Sequence, residues 1–211
     1  MAVDDAALLE RWRAGDQLAG EELFERYYEP VERFFLNKLS DQVNDLVQET
    51  FIACPEGRDR LQDARKFRSY LFTVAHNVLY GFFRRKQASD GQQLDLEDQS
   101  VFDLAPGPST IAVRNSEERL LLEGLRRIPL PYQVLLELFY WENMTSADIA
   151  EVLDLPAGTV RSRMRKARTL LERALARLET SPEKLHTTVS GLDDWARQLR
   201  ERLHQAPAAA G

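Results

Sequence analysis

Apolar side chains recur every three or four residues along most of this chain, which is the periodicity of an amphipathic α-helix. The pattern predicts helices over residues 21–39, 42–53 and 66–86, and a last long helix over about 157–178. No stretch of six or more residues alternates cleanly between apolar and polar positions, so we predict no β-strand. Pro55 and Gly57 are expected to end the second helix. The sequence therefore predicts an all-α protein.

Residues 87–114 form a segment of a different kind. As far as residue 113 it is rich in Ser, Gly, Gln and Pro, and it carries five carboxylates without a Lys or Arg. This composition is typical of a flexible, extended, acidic linker. The linker separates a helical domain over residues 5–86 from a second helical domain over residues 115–178. Residues 179–211 follow as a C-terminal extension, in which the pattern predicts one amphipathic helix over 190–204.

The second predicted domain has the features of a helix-turn-helix. Thr145 and Asp148 have the spacing of a capping box at the start of a short helix, and residues 155–158 form a turn before the long helix. At 100° per residue, one face of the long helix is apolar and is predicted to be buried. That face consists of Val160, Met164, Ala167 and Leu171.

The opposite face of the long helix presents polar side chains near the N-terminus of the helix, which is the end that enters a DNA major groove. Arginine there can read guanine, whereas cations to the side of the face suit phosphates. An ordinary solvent-exposed helix rich in arginine is the alternative. The reading face consists of Arg161, Ser162, Arg165 and Lys166, and the flanking cations are Arg163 and Arg168.

Charge alters the picture given by the overall composition. The 211 residues carry a formal net charge of −6, which argues against a nucleic-acid-binding protein. The charge is unevenly placed, however: residues 64–86 have six basic and no acidic side chains, and residues 156–178 have seven basic and one acidic. Both blocks fall on predicted helices. They are therefore candidate nucleic-acid surfaces, with an ordinary solvated face as the alternative.

The first basic block interleaves aromatic side chains with cations. Unpaired bases stack on aromatic rings beside cations, and an asparagine can read a base edge, so the block is a candidate single-strand surface. The competing interpretation places the aromatics in the core. Helical geometry puts Ser69, Phe72, His76, Asn77 and Tyr80 largely away from the apolar face. The candidate contacts are Arg65, Lys66, Phe67, Tyr70, His76, Asn77 and Tyr80.

Three segments together resemble a known family. Residues 45–51 (Asp-Leu-Val-Gln-Glu-Thr-Phe), residues 67–77 and the helix-turn-helix over residues 149–168 occur in the order and spacing of bacterial sigma-70 factors. Within that family the chain is similar to the extracytoplasmic-function (ECF) group, which keeps only sigma regions two and four. The resemblance covers about residues 5–178, and the C-terminal extension exceeds it.

The resemblance implies roles for the candidate residues. Asp45, Gln48 and Glu49 match the helix that docks on the clamp of core RNA polymerase. Asn77, with Phe67 and Tyr70 nearby, matches the part that opens the minus-ten element and holds flipped bases. The face with Arg161, Ser162 and Arg165 matches the helix that reads the double-stranded minus-thirty-five element. The acidic linker matches the segment threaded through the polymerase cleft, where its carboxylates would meet a basic channel.

The resemblance also implies the partners, which are core RNA polymerase, promoter DNA and an anti-sigma factor that restrains the protein. A helix-turn-helix regulator that never engages polymerase is the alternative, and the Asp45–Phe51 motif argues against it. The chain has no P-loop, no Ser/His/Asp arrangement and no paired carboxylates on a defined loop, so we expect neither an enzyme nor a cofactor.

Cysteine, histidine and hydropathy set further bounds. One cysteine, Cys54, excludes an internal disulfide, and three scattered histidines argue against a zinc site. We expect Cys54 to be a small buried hydrophobe, with a redox switch as the alternative. No apolar run approaches the ~20 residues of a membrane span, so we expect a cytoplasmic protein with no membrane insertion.

Overall fold

The computed structural model describes residues 4–39, 41–91, 95–105 and 116–178. Over these residues every regular element is a helix, apart from an isolated antiparallel bridge between Ser100 and Pro129. The all-α prediction is confirmed. The first domain contains α1 (Asp5–Arg13), α2 (Gln17–Leu36), α3 (Val43–Arg58), a 3₁₀ turn (Ala64–Lys66) and α4 (Phe67–Ser89).

The core of the first domain is formed by the apolar faces that the periodicity predicts. Asp16 caps α2 by accepting a hydrogen bond from the amide of Ala19. Aromatic rings meet edge to face across the helices, with 5.2 Å between the centroids of Trp12 and Phe24. The α2 face is buried at Leu23, Tyr27, Val31, Phe34 and Phe35, with Leu39 just beyond it.

Helix α3 does not end where the sequence predicts. It continues through Pro55 and Gly57 to Arg58, although proline lacks the amide that would bond four residues back. The Tyr70 hydroxyl supports this last turn, because it accepts a hydrogen bond from the Gly57 amide (3.1 Å) and donates one to the Cys54 carbonyl (2.5 Å). A Cβ on residue 57 would lie 2.5 Å from that hydroxyl oxygen, so only glycine permits the contact.

The second domain contains the predicted helix-turn-helix. Thr145 and Asp148 form the reciprocal capping box, and the turn before the last helix passes through Asp154 in the left-handed region (φ 50°). The predicted seam of Val160, Met164, Ala167 and Leu171 is buried. The helices are α6 (Ser116–Arg126), α7 (Leu130–Tyr140), α8 (Ser146–Val152) and α9 (Ala157–Leu178).

The described part of the linker is folded rather than extended. Residues 95–105 include a short helix, α5 (Val101–Leu104), whose Val101 and Leu104 are buried. Lys86 of α4 donates to the Leu104 carbonyl (2.9 Å), and the Leu130 amide donates to the Gln99 carbonyl (2.8 Å). The expectation of an extended acidic tether is therefore wrong for this stretch, since its apolar residues are buried and its backbone is hydrogen-bonded to both domains.

The two domains pack against each other. Helix α8 lies on α4, and the C-terminal end of α2 meets α7 through buried polar side chains. None of the helices in the described ranges has the length and apolarity needed to cross a membrane. The predicted helix over 190–204, and the rest of the C-terminal extension, lie outside the described residues.

Candidate nucleic-acid interface

The N-terminal half of α9 presents the predicted reading face. Arg161, Ser162, Arg165 and Lys166 are all exposed, while the seam on the opposite side is buried. Lys166 also lies over the Tyr132 ring, with 5.1 Å from its ammonium to the centroid. The face is therefore open to a large ligand from the solvent side.

The two flanking cations of α9 are held more firmly. Arg163 is half-buried, 3.8 Å from a carboxylate oxygen of Glu97 in the linker. Arg168 is half-buried with its guanidinium 5.6 Å from the centroid of the Tyr140 ring. Both side chains therefore lie beside the reading face, each next to a partner.

Helix α3 carries the three polar residues of the predicted polymerase surface. Asp45 and Gln48 are exposed, and Glu49 pairs with Arg85 of α4 (3.1 Å). A groove of ≈ 640 Å³ runs alongside, between α3 and the end of α4. Sequence reasoning missed Ile52, which is 75% exposed on the same side of α3. An apolar residue four positions after Gln48 was the available signal, because that spacing continues the polar face.

The first basic block divides between surface and interior. Arg65 is exposed and pairs with Asp63 (3.0 Å), and Asn77 is exposed. Lys66 forms an ion pair with Glu151 of α8, across the two domains. Phe67 is fully buried, edge to face with Tyr27 at 5.7 Å between centroids, so it belongs to the core of the first domain. Phe72, expected away from the apolar face, is also fully buried, because it packs against Phe34.

His76 and Tyr80 lie one helical turn apart on a covered face of α4. Their ring centroids are 4.3 Å apart, Tyr80 is buried and His76 is half-buried. Burial lowers the pKa of His76 to about 4, and Lys38 and Arg84 add to the effect. The imidazole is therefore neutral at pH 7. Among the described residues no three His, Cys, Asp or Glu side chains converge as metal ligands.

Tyr70 and Cys54 are both engaged inside the first domain. The Tyr70 hydroxyl bridges α4 to the last turn of α3, and burial raises its pKa to about 12. Burial likewise raises the pKa of the Cys54 thiol to about 12. The thiolate, which is the reactive form, is thus scarce at neutral pH.

A cluster of buried polar residues joins α2 to the second domain. Arg33 donates to a carboxylate oxygen of Glu142 (3.0 Å), and Lys38 pairs with Glu137. Nothing in the sequence pattern singles these residues out, because isolated charges on amphipathic helices are normally solvated. We call this group the interdomain cluster: Arg33, Asn37, Lys38, Arg126, Gln133, Glu137 and Glu142.

Two family models match the chain, one in each domain. The sigma-70 region 2 model matches residues 23–89, which span most of α2 to α4. The sigma-70 region 4 model matches residues 118–171, which include the helix-turn-helix. The chain therefore belongs to the sigma-70 family of RNA polymerase sigma factors.

Relatives matched over nearly their whole length place the chain within that family. It is 27% identical over 176 residues to the ECF RNA polymerase sigma-E factor of Haemophilus influenzae, covering 80% of this chain and 93% of that one. It is 29% identical over 181 residues to the sigma-E factor of Escherichia coli, covering 80% and 92%. The chain is an RNA polymerase sigma factor of the extracytoplasmic-function group.

Two solved structures share the fold. One is CnrH in complex with the cytosolic domain of CnrY, with a TM-score of 0.58 and 23% identity, covering 82% of this chain and 97% of that chain. The other is RpoE in complex with the anti-sigma factor NepR from Bartonella quintana, with a TM-score of 0.57 and 20% identity, covering 74% and 96%. Their agreement with this chain lies in the arrangement of helices.

Proposed function

We propose that this sigma factor directs promoter-specific initiation by binding core RNA polymerase through α3 and promoter DNA through α4 and α9. The single observation that carries the proposal is the two-sided α9. Its buried seam fixes it in the helix-turn-helix, and an exposed row of Arg161, Ser162, Arg165 and Lys166 occupies the other side. That arrangement suits a helix that inserts into a major groove.

The reading of the minus-thirty-five element divides between two kinds of contact. Arg165, exposed in the middle of the row, is suited to guanine O6 and N7. Arg168, half-buried against Tyr140, has a restricted reach that suits a phosphate at the groove edge. In this proposal Arg165 specifies the sequence, and Arg168 positions the helix.

The minus-ten element would be held along α4. Asn77 is exposed and its amide is suited to a base edge, and Arg65 and Lys66 provide cations at the start of the helix. In this proposal Phe67 and Tyr70 support α4 from inside the first domain, because Phe67 lies in the core and the Tyr70 hydroxyl is hydrogen-bonded to α3. His76 and Tyr80 offer a pair of neighbouring rings for an unpaired base once their face is uncovered.

The partners follow from these surfaces and from the relatives. Asp45, Gln48 and Glu49 on α3 would contact core RNA polymerase, with Ile52 adding an apolar contact beside Gln48. Both solved relatives were captured with a protein partner, one of them named as an anti-sigma factor. An anti-sigma factor is accordingly the regulator we propose for this chain. It would act in the cytoplasm as an initiation factor and not as an enzyme.

Transcription in vitro tests the proposal. With purified core polymerase and a library of genomic fragments, the full-length chain should produce transcripts from discrete start sites. The double variant Q48A/E49A should weaken association with core by about tenfold or more, because it truncates the centre of the docking surface. Loss of the exposed Glu49–Arg85 pair should change stability by no more than ~1 kcal/mol. Association is measured by fluorescence anisotropy and helicity by circular dichroism.

The matched control is Glu25→Ala, which removes one exposed carboxylate from α2 and should leave association unchanged. Native association of Q48A/E49A, with unchanged helicity, would remove α3 as the polymerase surface. Sequence-specific DNA binding by α9 without any association with core would instead support the alternative of a helix-turn-helix regulator.

A further inference from the structure

We propose that the second domain is an intramolecular cover for the α4 surface that we assign above to the minus-ten element. The interdomain cluster is the latch that holds the second domain over that surface. The proposal depends on the assignment of α4 above, and it adds a regulatory step to that assignment. Promoter opening would then require the two domains to separate first.

The covered surface is a single polar stripe of α4. Lys66, Ser69, Thr73, His76 and Tyr80 are spaced by three and four residues, so they share one face of the helix. The second domain meets this stripe at its N-terminal end, where Lys66 pairs with Glu151 of α8. Helix α8 packs on α4, and Ser69 and Tyr80 are buried although both are polar.

The latch is a set of ion pairs and hydrogen bonds between the C-terminal end of α2 with the two residues that follow it and α7 with the two residues that follow it. Arg33 binds Glu142 through two nitrogens (3.1 and 3.0 Å), and Lys38 pairs with Glu137. Glu137 also accepts hydrogen bonds from Asn37 (3.1 Å) and from Gln133 (2.8 Å). Removing one partner from such a pair leaves a buried charge without compensation, which strongly favours separation.

The linker is tied into the same latch. Arg126 donates to the Asn37 carbonyl of the first domain (2.9 Å) and to the Ala105 carbonyl of the linker (2.7 Å). Lys86 donates to the neighbouring Leu104 carbonyl (2.9 Å). One guanidinium therefore holds both a helix end and the linker. Separation of the domains therefore breaks the contact between Arg126 and the Asn37 carbonyl.

The chemistry of the interface favours a reversible closure. An interface of charges and amides can separate and be hydrated, whereas a broad apolar interface exposes surface that water disfavours. Three polar atoms of the cluster have no hydrogen-bond partner among the described residues, namely Asn37 Oδ1, Gln133 Oε1 and Arg126 Nε. Each of them regains hydration on opening, which brings the closed and open states closer in free energy.

Distances between the domains test the latch in the full-length chain. Spin labels at L18C on α2 and E172C on α9 occupy exposed positions, one in each domain, and the buried Cys54 with its raised thiol pKa should stay unlabelled. The parent protein should show one short separation. Glu137→Gln, and independently Glu142→Gln, should raise the population of longer separations by about tenfold. Glu10→Gln, which removes a carboxylate from an exposed pair with Arg13 inside the first domain, is the matched control and should change nothing.

Binding of single-stranded DNA tests the cover. The probe is a fluorescent random-sequence oligonucleotide pool, which requires no knowledge of the promoter. Glu137→Gln should bind it about tenfold more tightly than the parent, because the competent population rises by that factor. The variant K66C/E151C, joined by a reducible bismaleimide linker, should bind more weakly than its own reduced form.

The outcomes separate the two levels of the proposal. A parent protein that is already open, or an opened variant with no gain in affinity for the pool, overturns the cover. Equal affinity of the cross-linked and reduced forms of K66C/E151C also overturns it. Failure to initiate from discrete sites with core polymerase overturns the proposed function instead, and leaves the measured separation to decide whether the latch exists.

Discussion

The two basic helices of this sigma factor carry similar charge in opposite settings. The blocks over residues 64–86 and 156–178 have the same excess of cations, because one has six basic and no acidic side chains and the other seven basic and one acidic. On α9 that charge stands on one exposed face above one buried seam. On α4, by contrast, Phe67, Phe72 and Phe83 are buried in the core of the first domain. Tyr70 is hydrogen-bonded to the last turn of α3, and the second domain packs against the polar stripe.

The comparison shows that excess charge marks a candidate surface without showing whether it is accessible. Helix α9 is buried along one face, so the side chains on its outer face can be substituted without disturbing the fold. Helix α4 is engaged on three sides, and a substitution there affects stability, domain contact and ligand binding together. Experiments that separate these effects can break or sharpen the contrast.

The largest expected effect is in the core side of α4. Phe72→Ala should destabilise the first domain by about 3–5 kcal/mol, because it removes a fully buried ring that packs edge to face on Phe34. Arg161→Ala on the exposed face of α9 should change stability by less than ~0.5 kcal/mol. Urea unfolding followed by circular dichroism measures both. Similar costs for the two variants would remove the contrast between the helices.

The acid sensitivity of α4 is the second test. His76 has a pKa of about 4 in the folded chain against 6.5 for the free side chain, so between these values the unfolded chain binds more protons. Stability should therefore be lost as the pH falls through this window, by up to about 3 kcal/mol. His76→Gln should flatten the dependence, which unfolding at several pH values would show. An unchanged slope in the variant would mean that His76 is not covered in solution.

The sequence could predict the helices of both domains because each buries a continuous apolar face. The seam of α9 and the capping box at Thr145 are local features, and both appear in the structure as predicted. The end of α3 could not be predicted, because its last turn depends on Tyr70, thirteen residues beyond Gly57. Local rules treat Pro55 as a terminator when no such support is visible.

The contacts between the domains could not be predicted from the sequence for a related reason. Lys38 and Glu137 are 99 residues apart, and each one alone has the pattern of a solvated charge. The average composition of the linker predicts an extended chain, whereas two of its few apolar residues, Val101 and Leu104, are buried. The exposure of the predicted α9 face and of the α3 residues Asp45 and Gln48 could be predicted, because each set lies on a single helix.

The reading face of α9 gives the third test. Arg165→Ala should cost ~1–3 kcal/mol of promoter binding and relax the preference at one or two base pairs of the upstream element. Arg168→Ala should weaken binding to all sequences alike and reduce the salt slope by about 1. Competition binding against a randomised site at several salt concentrations separates the two. If both variants lower affinity without altering base preference, the orientation assigned to α9 is wrong.

The smallest expected effect concerns the brace between α4 and α3. Tyr70→Phe removes the hydroxyl that accepts from the Gly57 amide and donates to the Cys54 carbonyl, so both backbone groups lose a partner. The expected cost is about 1–2 kcal/mol of stability, together with faster amide exchange in the last turn of α3. Tyr28→Phe is the matched control, because its ring is 39% exposed and the change should be neutral. Hydrogen exchange with mass spectrometry reads the effect locally. Equal exchange in Tyr70→Phe and the parent would show that α3 holds its last turn without help from α4, and the contrast with α9 would then rest on the core and the domain contact alone.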